Sequence, residues 1–302
     1  MDRASVSIAS SAVLYGLSVY TVFPIAVKGS ERYAFRLTDH FRRLENSAKI
    51  IGIDTFMTEW DEKKFTTAVD SLVQANNPSE DVFVRATVHV VELLPGTRAR
   101  GLKTTLSLFM YEAASILPLE GARLKTSVWR RVPDYAIPSR AKVNGAYVNS
   151  VLAKQDAIDS GYDDCILLDV NGHVCELSAA NIFLVREGVL ITPGTASDIL
   201  EGINRRTVLE IAGTMNLSTM ERNVDLTELY IADEVFACGT SAFVTPILAI
   251  DSRVIGDGKM GSVTGLIRER LSKIVHGEDE LSAKYCTTLA GGPPAATLSA
   301  VR

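Results

Sequence analysis

Lys142 and Tyr147 stand five positions apart in the segment AKVNGAYVNS, residues 141–150. The segment is sparse in charge and runs into an apolar helical pattern. A lysine placed there is costly to bury unless it has a job. Desolvation lowers the pKa of a lysine and turns its amine into a nucleophile toward carbonyl carbon.

Three further places could receive an anion. The run Leu200-Glu201-Gly202-Ile203-Asn204 comes just before a helical pattern. Backbone N–H groups at a helix start, with the positive end of its dipole, form an anion site. Gly202 lets the backbone approach closely and Asn204 can cap; the same residues also fit an ordinary capped helix. Gly239-Thr240-Ser241, at a strand end, is a second cup. Arg43, in the first turns of a helix, is a third candidate, and a solvated helix arginine is its plain alternative. Glu176 closes a hairpin strand and precedes the small, apolar Leu177-Ser178-Ala179-Ala180. A carboxylate in such surroundings needs a partner, and a protonated ring nitrogen is one; an exposed strand end needs none.

Strands and helices must hold these groups. The apolar run over residues 6–27 is interrupted by Gly16, hydroxyl residues and Pro24, and it reads as two buried strands rather than a membrane span. Thr38 is a candidate N-cap for a helix over 39–51, and a second amphipathic helix covers 61–74. Strands follow over 81–94 and 104–111. Residues 112–121 read as a linker, then come a strand over 123–131, a Pro-flanked loop to Lys142, and a helix over 147–160 ending at Gly161. Asn171-Gly172 is a hairpin turn, and a second hairpin turns at Arg186-Glu187-Gly188. A helix over 205–215, a buried strand over 234–238, a hairpin around 251–256 and a helix over 261–276 complete the pattern. No steady βαβ rhythm appears. The expected class is α+β, mostly antiparallel sheets with packed helices. The expected division is a small N-terminal domain over 1–115, a large domain over 116–286, and a disordered Gly/Pro/Ala-rich tail over 287–302.

Bulk properties narrow the functions. At 302 residues, 47% hydrophobic and 22% charged, the chain is an ordinary globular protein with room for two domains. Its net charge of −5 argues against nucleic acid as a partner. The four cysteines are scattered without a CxxC pair and read as reduced thiols of a cytoplasmic protein. The dispersed histidines give no metal cluster.

Several long motifs, in order, resemble the class IV aminotransferases, the fold-type-IV pyridoxal-phosphate enzymes. They are FRLTDHFRRLENSAKIIGI (35–53), AKVNGAYVNSVLAKQDAIDSGY (141–162), ILLDVNGHVCELSAANIFLV (166–185), GVLITP (188–193), ILEGINRRTVLEIA (199–212) and IADEVFACGTSAFVTPI (231–247). The nearest branch is similar to the branched-chain amino acid aminotransferases, and the likeness runs from about Val6 to Tyr285. It implies pyridoxal 5'-phosphate as cofactor, with Lys142 as the catalytic Schiff-base lysine and Tyr147 on the phenolic oxygen. By the same likeness Glu176 faces the pyridine nitrogen, and Arg43, Ile203, Asn204 and Thr240 hold the phosphate. Tyr15, Tyr20, Phe83, Arg85 and Ser241 fall at substrate positions. The implied reaction moves an amino group between a small apolar, branched-chain-like amino acid and a 2-oxo acid, in a homodimer.

Two stretches leave the family pattern. Where relatives carry F-E-G-x-R, this chain has Tyr20-Thr21-Val22-Phe23-Pro24, closer to D-amino acid aminotransferases and aminodeoxychorismate lyases. Where relatives carry E-G-[SA]-G-E-N, it has Glu176-Leu177-Ser178-Ala179-Ala180-Asn181, whose larger side chains could crowd the cofactor. A lyase of the aminodeoxychorismate type, with Arg98 and Arg100 for a polyanionic substrate, a D-amino acid aminotransferase, and a low-turnover binding or structural paralogue therefore stand beside the transaminase.

Overall fold

The computed structural model of the chain describes residues 5–290. In chain order its elements are α1 (Ser11–Leu14), β1 (Ser18–Lys28), β2 (Glu31–Phe35), α2 (Leu37–Ile50), α3 (Phe56–Glu59), α4 (Glu62–Asn76), β3 (Val82–Val90), β4 (Thr104–Glu112) and β5 (Ala122–Arg130). Then follow α5 (Tyr147–Asp159), β6 (Asp164–Leu168), β7 (Val174–Leu177), β8 (Asn181–Arg186), β9 (Val189–Pro193), α6 (Ile203–Thr214), β10 (Ser218–Arg222) and α7 (Leu226–Tyr230). The last are β11 (Glu234–Gly239), β12 (Phe243–Ile250), β13 (Arg253–Val254), α8 (Ser262–Val275), α9 (Ser282–Tyr285) and β14 (Cys286–Leu289). They fall into two compact units. Among the described residues, one takes those up to Ala113 with those from Lys273 to Ala290; the other is Ala114–Ser272.

The first unit is a five-stranded antiparallel sheet, order β14-β2-β1-β3-β4. Strand alternation sends Val19, Thr21, Phe23 and Ile25 of β1 to one face and Tyr20, Val22 and Pro24 to the other. The first set meets α2 and α4. Phe23 packs against Phe65, whose ring lies 5.0 Å from that of Phe41, and each of these three is fully or almost fully buried. Pro24 sits just before β2 pairing begins at Ile25↔Ala34, a place where a strand can lack a donor.

The second unit carries a nine-stranded mixed sheet, order β10-β9-β8-β11-β12-β5-β6-β7, with β13 beside β12. Its core joins Leu124, Ile166, Leu177, Ile182, Val235 and Ile247. The β6–β7 turn runs through Gly172 at φ 91, and the β8–β9 turn through Glu187 and Gly188 at φ 51 and 77. Two consecutive positive φ values match the right-handed twist of the flanking strands. The fold is α+β and antiparallel-rich as expected; β9–β10, β5–β12 and β5–β6 are parallel.

Some local expectations change. The first of the two strands read over residues 6–27 is absent. Ser10 bridges only Leu93, and with no ladder to join, residues 11–14 turn helical, leaving Val13 and Leu14 exposed. Thr38 does not cap α2. The helix starts earlier because Arg36 takes a left-handed turn at φ 50, where its N–H donates to Tyr285 O at 2.6 Å and its guanidinium stacks on that tyrosine ring. Of the tail expected to be disordered from residue 287, residues 287–289 belong to β14, which pairs with β2; residues 291–302 lie outside the described residues.

Candidate active site

Lys142 lies in an irregular stretch between β5 and α5, and Tyr147 is the first residue of α5. The turn through Asn144 and Gly145 folds the five-residue spacing back on itself. Lys142 Nζ donates to the Tyr147 hydroxyl at 2.7 Å, so the phenol fixes the amine's position. Burial of Ser150, Ala153 and Ala157 anchors α5 behind them.

Glu176 is only 6% exposed, in the four-residue strand β7. Alternation puts it opposite Leu177, whose side chain fills the core. The bulk of Leu177, expected to crowd the site, is thus absorbed on the far face of the strand. Ser178 is tied to the buried carboxylate of Asp164 at 2.9 Å. Glu176 receives Arg131 on Oε1 at 2.8 Å, and the Asn181 amide and the Leu200 N–H on Oε2 at 3.0 and 3.1 Å. Burial pushes its carboxyl above the usual range, while Arg131, the Leu200 N–H and the Lys142 ammonium pull it down.

The third part is the start of α6. Ile203 and Asn204 are buried in its first turn, after Gly202. Asn204 Oδ1 is buried with no hydrogen-bond partner. A Cβ on Gly202 would stand 2.0 Å from Asn181 Oδ1, so the backbone entering α6 touches the residue that holds Glu176. Thr240 and Ser241 follow β11; a Cβ on the preceding Gly239 would meet Ala179 O at 3.5 Å, which sets this turn against the run after Glu176. A buried helix start, a partnered acid and a tethered lysine fit a phosphorylated pyridine cofactor.

The other expected residues sit in the first unit. Arg43, on α2, donates to Thr21 Oγ1 at 3.1 Å, and that hydroxyl contacts His40 Nδ1 at 2.7 Å. Arg43 is therefore held against β1 instead of lying along solvent. Tyr20, Phe83 and Arg85 share one sheet face, with the Arg85 guanidinium 3.7 Å from the Tyr20 ring centre. Tyr15 ends α1 and is half exposed. Arg98 and Arg100 lie on an exposed loop.

Sequence reading passed over Arg131 and Asn181. The signal was available: a buried acid at Glu176 demands donors, and the paired Arg130-Arg131 before Pro133 offers one.

The class IV amino-transferase family matches residues 18–250. The chain belongs to that family and is a transferase. It is 33% identical over 281 residues to a probable branched-chain-amino-acid aminotransferase of Synechocystis, covering 92% of this chain and 90% of that one. A branched-chain aminotransferase of Thermoproteus uzoniensis, solved with norvaline, superposes with a TM-score of 0.90 at 36% identity, over 95% of each chain. The T.th. branched-chain amino acid aminotransferase, solved with pyridoxamine 5'-phosphate, gives 0.84 at 33%, over 95% of this chain and 94% of that one.

Proposed function

We propose that the chain is a pyridoxal 5'-phosphate-dependent transaminase that takes its amino group from a small apolar, branched-chain-like amino acid and gives it to a 2-oxo acid. The observation that carries this is Lys142 Nζ held 2.7 Å from the Tyr147 hydroxyl, in the same unit as the buried, three-donor carboxylate of Glu176. When bound, the cofactor supplies an electron sink that stabilises negative charge at the substrate Cα.

The protein does the rest. Lys142 would hold the cofactor covalently and, once released, would be the base for the proton at substrate Cα. An amine serving both roles needs a fixed anchor, and the Tyr147 oxygen provides it. Glu176, as a carboxylate, keeps a proton on the ring nitrogen. The first N–H groups of α6 and the side-chain amide of Asn204 suit a phosphate, and the Thr240 hydroxyl adds a donor. Arg43 as a phosphate ligand, and Tyr15, Tyr20, Phe83, Arg85 and Ser241 as substrate contacts, rest on likeness to the family. We place the enzyme in the cytoplasm, on the strength of its four free thiols.

We infer a homodimer, which exposed apolar residues on α5 support. Val148, Val151, Leu152 and Ile158 are all exposed on that helix.

A donor screen with 2-oxoglutarate tests the reading. Leucine, isoleucine and valine should transfer their amino groups. Turnover restricted to D-amino acids, or pyruvate release from aminodeoxychorismate without any oxo acid, would overturn the substrate assignment.

A further inference from the structure

Glu176 does not stand alone in its strand. Its two oxygens are answered from two directions by side chains that also grip one loop. Arg131 donates to Oε1 at 2.8 Å and, through Nε, to the carbonyl of Asp198 at 3.2 Å. Asn181 Nδ2 donates to Oε2 and to the carbonyl of Leu200, both at 3.0 Å. The Leu200 N–H reaches Oε2 at 3.1 Å. The loop is held from its other side by Asp134 N, which donates to Asp198 Oδ1 at 2.8 Å. Asn181 is 5% exposed and the Arg131 side chain 13%, so neither can trade its partner for bulk water. Gly202 leaves the gap that Asn181 needs, since any Cβ there would overlap Asn181 Oδ1.

We propose that Arg131 and Asn181 are positioning residues that hold Glu176 ionised and aimed at the cofactor's ring nitrogen. This rests on the reading of Glu176 as the ring-nitrogen acid. A buried carboxylate without donors takes up a proton. A neutral Glu176 would no longer favour a protonated ring, and the electron sink would weaken. Arg131 supplies the opposing charge. Asn181 and the Leu200 N–H fix the second oxygen, so the first keeps one direction. Burial acts the other way, pushing the carboxyl up, which is why the donors are needed.

The test compares binding of pyridoxal 5'-phosphate with binding of its 1-deaza analogue, in which a C–H replaces the ring nitrogen. Purified wild-type protein, stripped of cofactor, is titrated with each and followed by absorbance. Arg131→Gln and Asn181→Ala should each lower the preference for the nitrogen-bearing cofactor by about tenfold to a hundredfold, the scale of a lost hydrogen bond to a buried charge. Arg131→Lys should restore part of it. In Arg131→Gln the pH at which the bound cofactor's visible band changes should also move. If both cofactors lose affinity equally, or neither does, the two residues are merely structural and the proposal fails. Should Arg131→Gln not fold, Asn181→Ala decides on its own, because it leaves the buried charge pair intact. A wild-type protein that binds neither cofactor would sink the transaminase reading as well, so the two failures look different.

Discussion

At Glu176 the proposed reading asks a single buried carboxyl to keep a ring nitrogen protonated. Burial holds its folded pKa above the ordinary 4.5, with Arg131 opposing. A carboxyl raised that way binds its proton more tightly in the native state. Its contribution to stability is complete below the unfolded value and is lost as pH rises through the folded value. Every tenfold gain in proton affinity on folding corresponds to about 1.4 kcal/mol. Denaturant midpoints of the wild type relative to Glu176→Gln should therefore fall as pH is raised from the acid side. A difference that stays flat with pH would contradict the raised value. Lys142, Tyr147 and Glu176 stand out as candidates in the sequence because each lies in a long, ordered motif. Arg131 and Asn181 stand out only once Glu176 is taken as buried and in need of donors, since their contacts with it cross 45 and 5 residues of sequence.

Among the elements, long helices with a clear apolar stripe declared themselves: α2, α4, α5, α6 and α8 all appear near their expected positions. β10 escaped notice because Ser218-Thr219-Met220-Glu221-Arg222 has no alternation and is largely exposed, pairing on one side with β9. α1 was misread because an apolar run reads as a strand whether or not a neighbour exists to pair with it. α8 shows how a remote strand can start a helix. Glu234, on β11, accepts from the N–H groups of Val263 and Thr264 at 3.0 and 2.8 Å, and from the Thr264 hydroxyl at 2.7 Å. A Cβ on Gly261 would stand 2.0 Å from Glu234 Cδ, so glycine keeps room for the cap. Glu234→Ala should cost about 1–2 kcal/mol of stability, the usual worth of a helix cap. Urea unfolding measures it, and an unchanged midpoint would show that the cap contributes nothing.

On the scale of the whole molecule, the class of fold and the family were both readable from the order of residues alone. Nine-tenths of the chain aligns with relatives at about one-third identity, and five of the six motifs that carry the likeness lie in the second unit. The departures were readable as well, but their consequence was not. Leu177 looks intrusive in a sequence and harmless in a strand whose alternation sends it into the core. The exposed apolar residues of α5 lead to a prediction of their own. Val151→Asp places a charge in the middle of that row and should shift the protein from dimer to monomer by light scattering, with its helix content unchanged. A wild-type protein that runs as a monomer at micromolar concentration would refute the dimer. The central claim, that Lys142 is the amine on which the chemistry turns, is tested most directly by borohydride reduction of the protein loaded with pyridoxal 5'-phosphate, followed by peptide mass spectrometry. The account predicts the reduced cofactor on the peptide carrying Lys142, and none in Lys142→Ala; a label on another lysine, or no label at all, would contradict it.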